Sequence, residues 1–253
     1  MARYLLLDDT GAFPVDRFGA PLFVASATGE SLGVSVHVTG DIYAVRVPRD
    51  VVRHVSEHEV AYARNFAKDR TIARAVSLLA HRAHTLFDPA DGSELRYDDA
   101  GVVARGDRDR PLFPRLDPAV IGVVVDTRAD AILLAENRHR RGYYSCIAGY
   151  VEHGENLEEA FAREVLEETG YGCQNITYFA SQPWAMSGSL MMGFFAERES
   201  APPADETDGE LAEIIWATRK DIEQLPLPLP GSLARTLIGT WYRGEHAMRK
   251  EGA

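Results

Sequence analysis

Between positions 149 and 171 the chain reads Gly149, five residues, Glu155, seven residues, and then Arg163-Glu164-Val165-Leu166-Glu167-Glu168-Thr169-Gly170-Tyr171. No other stretch restricts the fold as strongly. Leu157 to Thr169 holds no Gly or Pro and stops at Gly170, which predicts a helix with Asn156 as its N-cap. Ala162, Val165, Leu166 and Thr169 fall at helical spacing and predict one largely apolar face. Glu164, Glu167 and Glu168 share another face, where like charges destabilise an isolated helix by about 0.2–0.5 kcal/mol per pair. A solvated acidic face is the plain explanation of such a cluster. Here, however, it follows a loop with its own Glu155, in which Gly149 and Gly154 allow tight turns and close backbone approach. Arg163 is placed to pair with Glu167, four residues on, or with Glu155.

Clustered carboxylates suit hard divalent cations such as Mg²⁺ or Mn²⁺. A diphosphate repels anionic nucleophiles, and such cations remove that repulsion and acidify water. Glu164 and Glu168 are the expected main metal ligands, with Glu167 as a further ligand or the base. In residues and spacing the segment resembles the Nudix box of hydrolases that cut a diphosphate linked to a nucleoside. Tyr171 stands where that box usually has an aliphatic residue.

Just beyond lies Ser181-Gln182-Pro183-Trp184-Ala185-Met186-Ser187-Gly188-Ser189-Leu190-Met191. This is similar to the Ser-Gln-Pro-Trp-Pro-Phe-Pro…Leu-Met array of NADH pyrophosphatases, with Ala185, Met186 and Ser187 in place of Pro-Phe-Pro. The resemblance runs from about His81 to Tyr242. It includes Phe113-Pro114-Arg115 as the entry to the catalytic domain and the Pro-rich run from Pro226 to Ala234. It implies an α+β protein: a Nudix fold, with a mixed β-sheet sandwiched between α-helices, preceded by a smaller α+β N-terminal domain. It also implies substrate contacts from Phe113, Tyr150, Gln182, Pro183, Trp184, Ala185, Met186, Ser187, Gly188, Ser189 and Ala234. Further metal contacts are implied from the Ala148 carbonyl and from Glu210. The implied activity is hydrolysis of NADH or NAD⁺ to a nicotinamide mononucleotide and AMP, with Glu167 or Glu210 taking a proton from water. A homodimer whose sites are completed by the neighbouring subunit is implied too.

Many members of that family carry a zinc ribbon of two Cys-x-x-Cys pairs. The matching positions here are Asp88, Asp91, Arg105 and Arg108, and structural zinc needs mainly Cys or His. No structural zinc is expected; turns and ion pairs, the aspartates with the arginines, are expected instead. Such surface pairs contribute only about 0–1 kcal/mol each.

The 253 residues divide into an expected N-terminal domain (1–87), a connector in place of the ribbon (88–112) and the catalytic domain (113–253). Val34 to Thr39 and Ile42 to Val47 flank Gly40-Asp41, a hairpin signal, and a helix is expected after Asp69. His81 and His84 lie near its end and are read as capping or solvated rather than metal-binding. Only Cys146 and Cys173 are present, and there is neither a leader-like nor a membrane-length apolar run, so a cytoplasmic protein with no membrane partner is expected. The net charge of −11 argues against broad nucleic-acid binding but does not forbid a small dinucleotide substrate, for which bound cations would supply local positive charge. Arg138-His139-Arg140-Arg141 is the one notable basic run, read as a solvated turn or as facing substrate phosphates. The departures at positions 185–187 leave ADP-ribose, another dinucleotide or an NAD-capped RNA end open as substrates. A catalytically silent nucleotide-binding regulator is the rival of another class, and the intact glutamates oppose it.

Overall fold

The computed structural model describes residues 1–25, 34–204 and 206–246. The chain forms two compact units. One comprises Met1–Leu116 with Pro183–Ser189, the other Asp117–Gln182 with Leu190–Ala253.

In the first unit, β1 (Arg3–Leu7), β2 (Ala12–Phe13), β3 (Val24–Ala25), β4 (Ser35–Thr39) and β5 (Ile42–Arg46) precede α1 (Arg49–Val55), β6 (Ala61–Tyr62) and α2 (Arg70–His84). The main sheet has the order β3-β1-β5-β4, with β1 parallel to β5 and β4 antiparallel to it. The expected hairpin is present, turning at Gly40 with φ +53. The run Tyr4 to Leu7 is almost unbroken apolar because β1 is buried on both faces. Leu5 and Leu7 pack with Ile72, Val76 and Leu79 of α2, while Tyr4 and Leu6 pack with Val45 and Val52. Asp69 caps α2 by accepting from the backbone N–H groups of Thr71 and Ile72.

The expected connector is itself a small antiparallel sheet of β7 (Arg96–Tyr97), β8 (Ala104–Arg105) and β9 (Pro111–Leu112). Asp91 pairs with Arg108 at 3.1 Å and accepts from both the backbone and hydroxyl of Ser93. Asp88 is buried and closes its own turn by accepting from the Ala90 N–H, while Arg105 pairs with Asp109. Of the expected aspartate–arginine pairings, the structure thus makes the one between positions 91 and 108. Asp88 bonds to the Ala90 backbone N–H instead.

The second unit holds β10 (Asp117–Asp126), β11 (Ala131–Asn137), β12 (Arg140–Ser145), β13 (Ile147–Tyr150), α3 (Leu157–Thr169), β14 (Cys173–Trp184), β15 (Ser189–Arg198), β16 (Leu211–Thr218), α4 (Arg219–Ile222) and α5 (Leu233–Tyr242). Its seven-stranded sheet runs β12-β11-β10-β15-β14, with β13 paired to β10 and β16 to β11. Strand periodicity sorts the core into two layers. Ile121, Val123 and Val125 of β10 pack with Leu233, Leu237 and Trp241 of α5. Val120 and Val124 pack with Phe161 and Val165 of α3. The sheet is therefore sandwiched between helices, as expected.

Gly122 sets the seat of α3. A Cβ there would lie 2.3 Å from Phe161 Cζ and 2.8 Å from the Phe194 carbonyl oxygen. Neither the buried ring nor the backbone has room to move. Gly122→Ala is expected to destabilise this unit by about 3 kcal/mol, the upper range for overpacking. Urea denaturation followed by tryptophan fluorescence measures this; a loss under about 1 kcal/mol would mean that Phe161 repacks freely.

Candidate active site

Helix α3 starts and ends where its sequence predicts. Asn156 accepts from the Glu159 N–H while the Glu159 side chain accepts from the Asn156 N–H, a reciprocal cap, and Gly170 closes the helix with φ +74. The buried face differs from the expected one. It comprises Ala160, Phe161, Val165, Glu168 and Thr169, whereas Leu166 is 47% exposed. Phe161 and Val165, fitted against the sheet, set the rotation of the helix. That rotation turns Leu166 outward and carries a carboxylate inward.

Arg163 braces the site, and both pairings open to it are made at once. Its Nε and Nη2 donate to the two oxygens of Glu155 at 2.6 and 3.1 Å. Nη1 donates to Glu164 at 2.9 Å and Glu167 at 3.0 Å, and Nη2 also donates to the Tyr150 carbonyl at 2.9 Å. The Glu155 bond, foremost, pushes the guanidinium pKa further up, and the same contact lowers that of Glu155. Glu155 in turn accepts from the Glu152 N–H, so the loop and the helix are bolted together.

Glu164 lies against the backbone of β13. A Cβ on Gly149 would sit 1.9 Å from its carboxyl carbon, so glycine is the only residue that leaves this carboxylate where it is. Burial raises the Glu164 pKa, opposed by Arg163. Glu168 is only 4% exposed. Burial above all, then the charges of Glu210, Glu164 and Asp208, raise its pKa from 4.5 to about 8. Among the described residues its carboxylate has no hydrogen-bonding partner. Glu167 is half-exposed. Glu210 accepts from Asn137 Nδ2 at 2.8 Å, and Ala148 and Tyr150 lie on β13 opposite Ile121 and Ala119. Tyr171, the atypical last position, packs edge-on against Trp216 with Arg198 over its ring.

The donors fit a hard divalent cation: all are carboxylates, and one is buried among like charges that the Arg140 charge offsets only weakly. They are not gathered as a closed cage. Among the described residues no three His, Cys, Asp or Glu side chains stand together as a set for one ion. Arg163 instead holds Glu164 and Glu167 on its guanidinium.

The other expected site residues divide between the two units. Gln182 and Ala234 belong with the glutamates. Gln182 Nε2 donates to the Gly231 carbonyl, and its Oε1 accepts from the Leu233 N–H at the start of α5. Its amide thus holds the Pro-rich loop to α5, leaving one amide N–H for any other partner. Ala234 is buried beneath this clamp. Phe113 and Pro183–Ser189 belong to the first unit, where Phe113 is 64% exposed. Ala185 packs on that unit's core, and Met186 touches the position a Gly11 side chain would take. Ser187 and Ser189 are joined by a hydroxyl bond of 2.8 Å, and Gly188 turns the chain with φ +71. A narrow cleft there places Arg64 with Pro183 and Trp184. Arg64 also lies over the Tyr62 ring at 5.3 Å. No motif surrounds Arg64 in the sequence, and only the fold brings it to Trp184. Asn137 and Asp208 carry no motif either: strand pairing brings Asn137 to Glu210, while Asp208, in the loop before β16, donates its N–H to the Glu167 carbonyl.

The segment that carries this braced helix is also the one that known proteins match. A family model described as NUDIX domain matches residues 115–237. The chain carries a NUDIX domain. In three dimensions it is similar to a NUDIX hydrolase from Nitrosomonas europaea, with a TM-score of 0.52 at 18% identity, over 64% of this chain and 92% of that one. In sequence it is 39% identical over 171 residues to a Photobacterium profundum protein named NAD-capped RNA hydrolase NudC, covering 66% of this chain and 62% of the relative. Proteins of the same name from Vibrio cholerae and Mycobacterium bovis are 46% identical over 128 residues and 34% over 189. The matches cover 50% and 67% of this chain, and 45% and 59% of those relatives. The chain thus spans about half to three fifths of the length of the curated relatives it matches. The glutamates described above all lie within the matched NUDIX domain.

Proposed function

We propose that this protein hydrolyses the diphosphate of NADH or NAD⁺, releasing a nicotinamide mononucleotide and AMP. The observation that carries the reading is Glu168, buried among the like charges of Glu164 and Glu210 in a NUDIX domain. Glu164, Glu168 and Glu210, with the Ala148 carbonyl, would hold Mg²⁺ or Mn²⁺. When bound, such a cation screens the diphosphate and acidifies water. The oxygen of water forms a bond to one phosphorus as the bridging P–O bond breaks, and the leaving phosphate keeps that electron pair. Glu167, half-exposed at the rim, or Glu210 takes the proton. Arg163 keeps Glu164 and Glu167 oriented while this happens. Tyr150, exposed on β13, offers an aromatic face for a planar ring.

The names of the relatives favour a second substrate for the same chemistry, an NAD-capped RNA end. The net charge of −11 opposes a long polyanion, while the exposed Arg138–Arg141 turn offers local positive charge. Chromatography of products from NADH, NAD⁺, ADP-ribose and an NAD-capped oligonucleotide, with Mg²⁺, Mn²⁺ or EDTA, tests both readings. AMP and nicotinamide mononucleotide should appear only with metal, and fastest from NADH. Faster turnover of the capped oligonucleotide would move the assignment to RNA; no turnover of any would overturn it.

The family also supports a homodimer, which light scattering would report as twice the chain mass. No described helix is long and apolar enough to cross a membrane. Both thiols are free and buried, with pKa values pushed up to about 12 for Cys146 and about 11 for Cys173, chiefly by burial. Inert thiols of this kind suit the cytoplasmic placement we propose.

A further inference from the structure

We infer that Asn137 is a positioning residue for Glu210 and, through it, for divalent-cation binding. The inference rests on the proposed role of Glu210 as a metal ligand. Strand β11 pairs with β16 in register until Glu136, where the register shifts so that Asn137 opposes Leu211. This irregularity brings the Asn137 side chain to Glu210 rather than along the ladder. Asn137 Nδ2 donates to Glu210 Oε1 at 2.8 Å. Its Oδ1 accepts from the His139 N–H at 2.9 Å, which fixes the amide so that nitrogen faces the carboxylate. The backbone of Glu210 is held as well. Its carbonyl accepts from the Arg138 N–H at 3.1 Å, and its N–H donates to Asp208 Oδ1 at 2.9 Å.

The chemistry of the donor matters. Glu164 and Glu167 are held by a cation, Arg163, which competes with a metal for their charge. Glu210 is held by a neutral amide, which orients one oxygen and leaves the full negative charge available. Partners of this kind, which touch a ligand and not the metal, typically change metal affinity or activity 10–100-fold when removed.

The test is Mn²⁺ binding followed by electron paramagnetic resonance on the full-length, substrate-free protein. Wild type is compared with Asn137→Ala, with its near-isosteric apolar counterpart Asn137→Leu, and with Glu210→Gln. Melting temperatures in EDTA confirm that each variant folds. Removing the Asn137 donor should weaken Mn²⁺ binding by about 10-fold. The Mn²⁺ concentration giving half-maximal NADH hydrolysis should rise in parallel, while kcat at saturating Mn²⁺ stays within about twofold of wild type, a split that a general structural lesion would not produce. If Glu210→Gln loses Mn²⁺ affinity while both Asn137 variants match wild type, the inference is overturned and the proposed function stands. If Glu210→Gln binds Mn²⁺ as wild type does, Glu210 is no ligand, and the reading of the site fails together with the inference.

Discussion

Glu168→Gln is expected to remove nearly all activity and, in the absence of metal, to make the protein more stable. The two effects have one cause. Glu168 is a carboxylate placed where a carboxylate is unfavourable, buried and facing Glu210, Glu164 and Asp208. A pKa raised from 4.5 to about 8 means that the folded state binds this proton more tightly than the unfolded chain does. The stability of the metal-free protein therefore falls as pH rises from about 4.5, and the penalty is complete above about 8. It amounts to at most about 5 kcal/mol. Glutamine resembles the protonated acid and removes it. In EDTA at pH 8.5 the variant should melt about 5 °C or more above wild type. That difference should close as pH falls towards 5, where Glu168 in the folded wild type is protonated. With metal and substrate, losing a well-placed electrostatic group should lower kcat by at least about 100-fold. Calorimetry across pH with and without Mn²⁺, together with NADH turnover, reads both effects. Equal melting temperatures at pH 8.5 would contradict the burial argument, and near-normal turnover the assigned role.

Gly149→Ala is expected to separate fold from function at a second position. The new methyl would collide with the carboxylate of Glu164, with contacts of 1.9–2.2 Å, and with nothing else among its nearest neighbours. A carboxylate is the far end of a flexible side chain, so the structure can yield by swinging Glu164 away. Stability should fall by only about 1 kcal/mol, since no core packing is lost. The displaced Glu164 would leave the position where β13 receives it and would break its bond to Arg163. Activity should drop by about 100-fold, comparable to losing the carboxylate. The double variant Gly149→Ala/Glu164→Gln should be hardly worse than either single change, because both remove the same group. Additive losses would mean that the glycine acts by another route, such as loop geometry.

Helix α3 could be read directly from the chain because its determinants are local. Asn156, Glu159 and Gly170 act within a few bonds of the backbone they cap, and the spacing of glutamates is a property of any helix. The hairpin at Gly40 and the helix after Asp69 are legible for the same reason. What each face of the helix meets was not legible. Whether Leu166 or Glu168 is buried depends on Phe161 seated over Gly122, a contact between residues far apart in sequence. Spacing alone offers Arg163 alternative partners, and only the folded loop shows that it serves them together. Gln182 carried a motif that suggested a ligand, yet the fold ties its amide to Gly231 and Leu233. Caps and periodicity follow from backbone hydrogen bonding within a few residues. Burial, the electrostatics of Glu168 and the partners of polar side chains follow from how distant segments pack, and no local pattern encodes that.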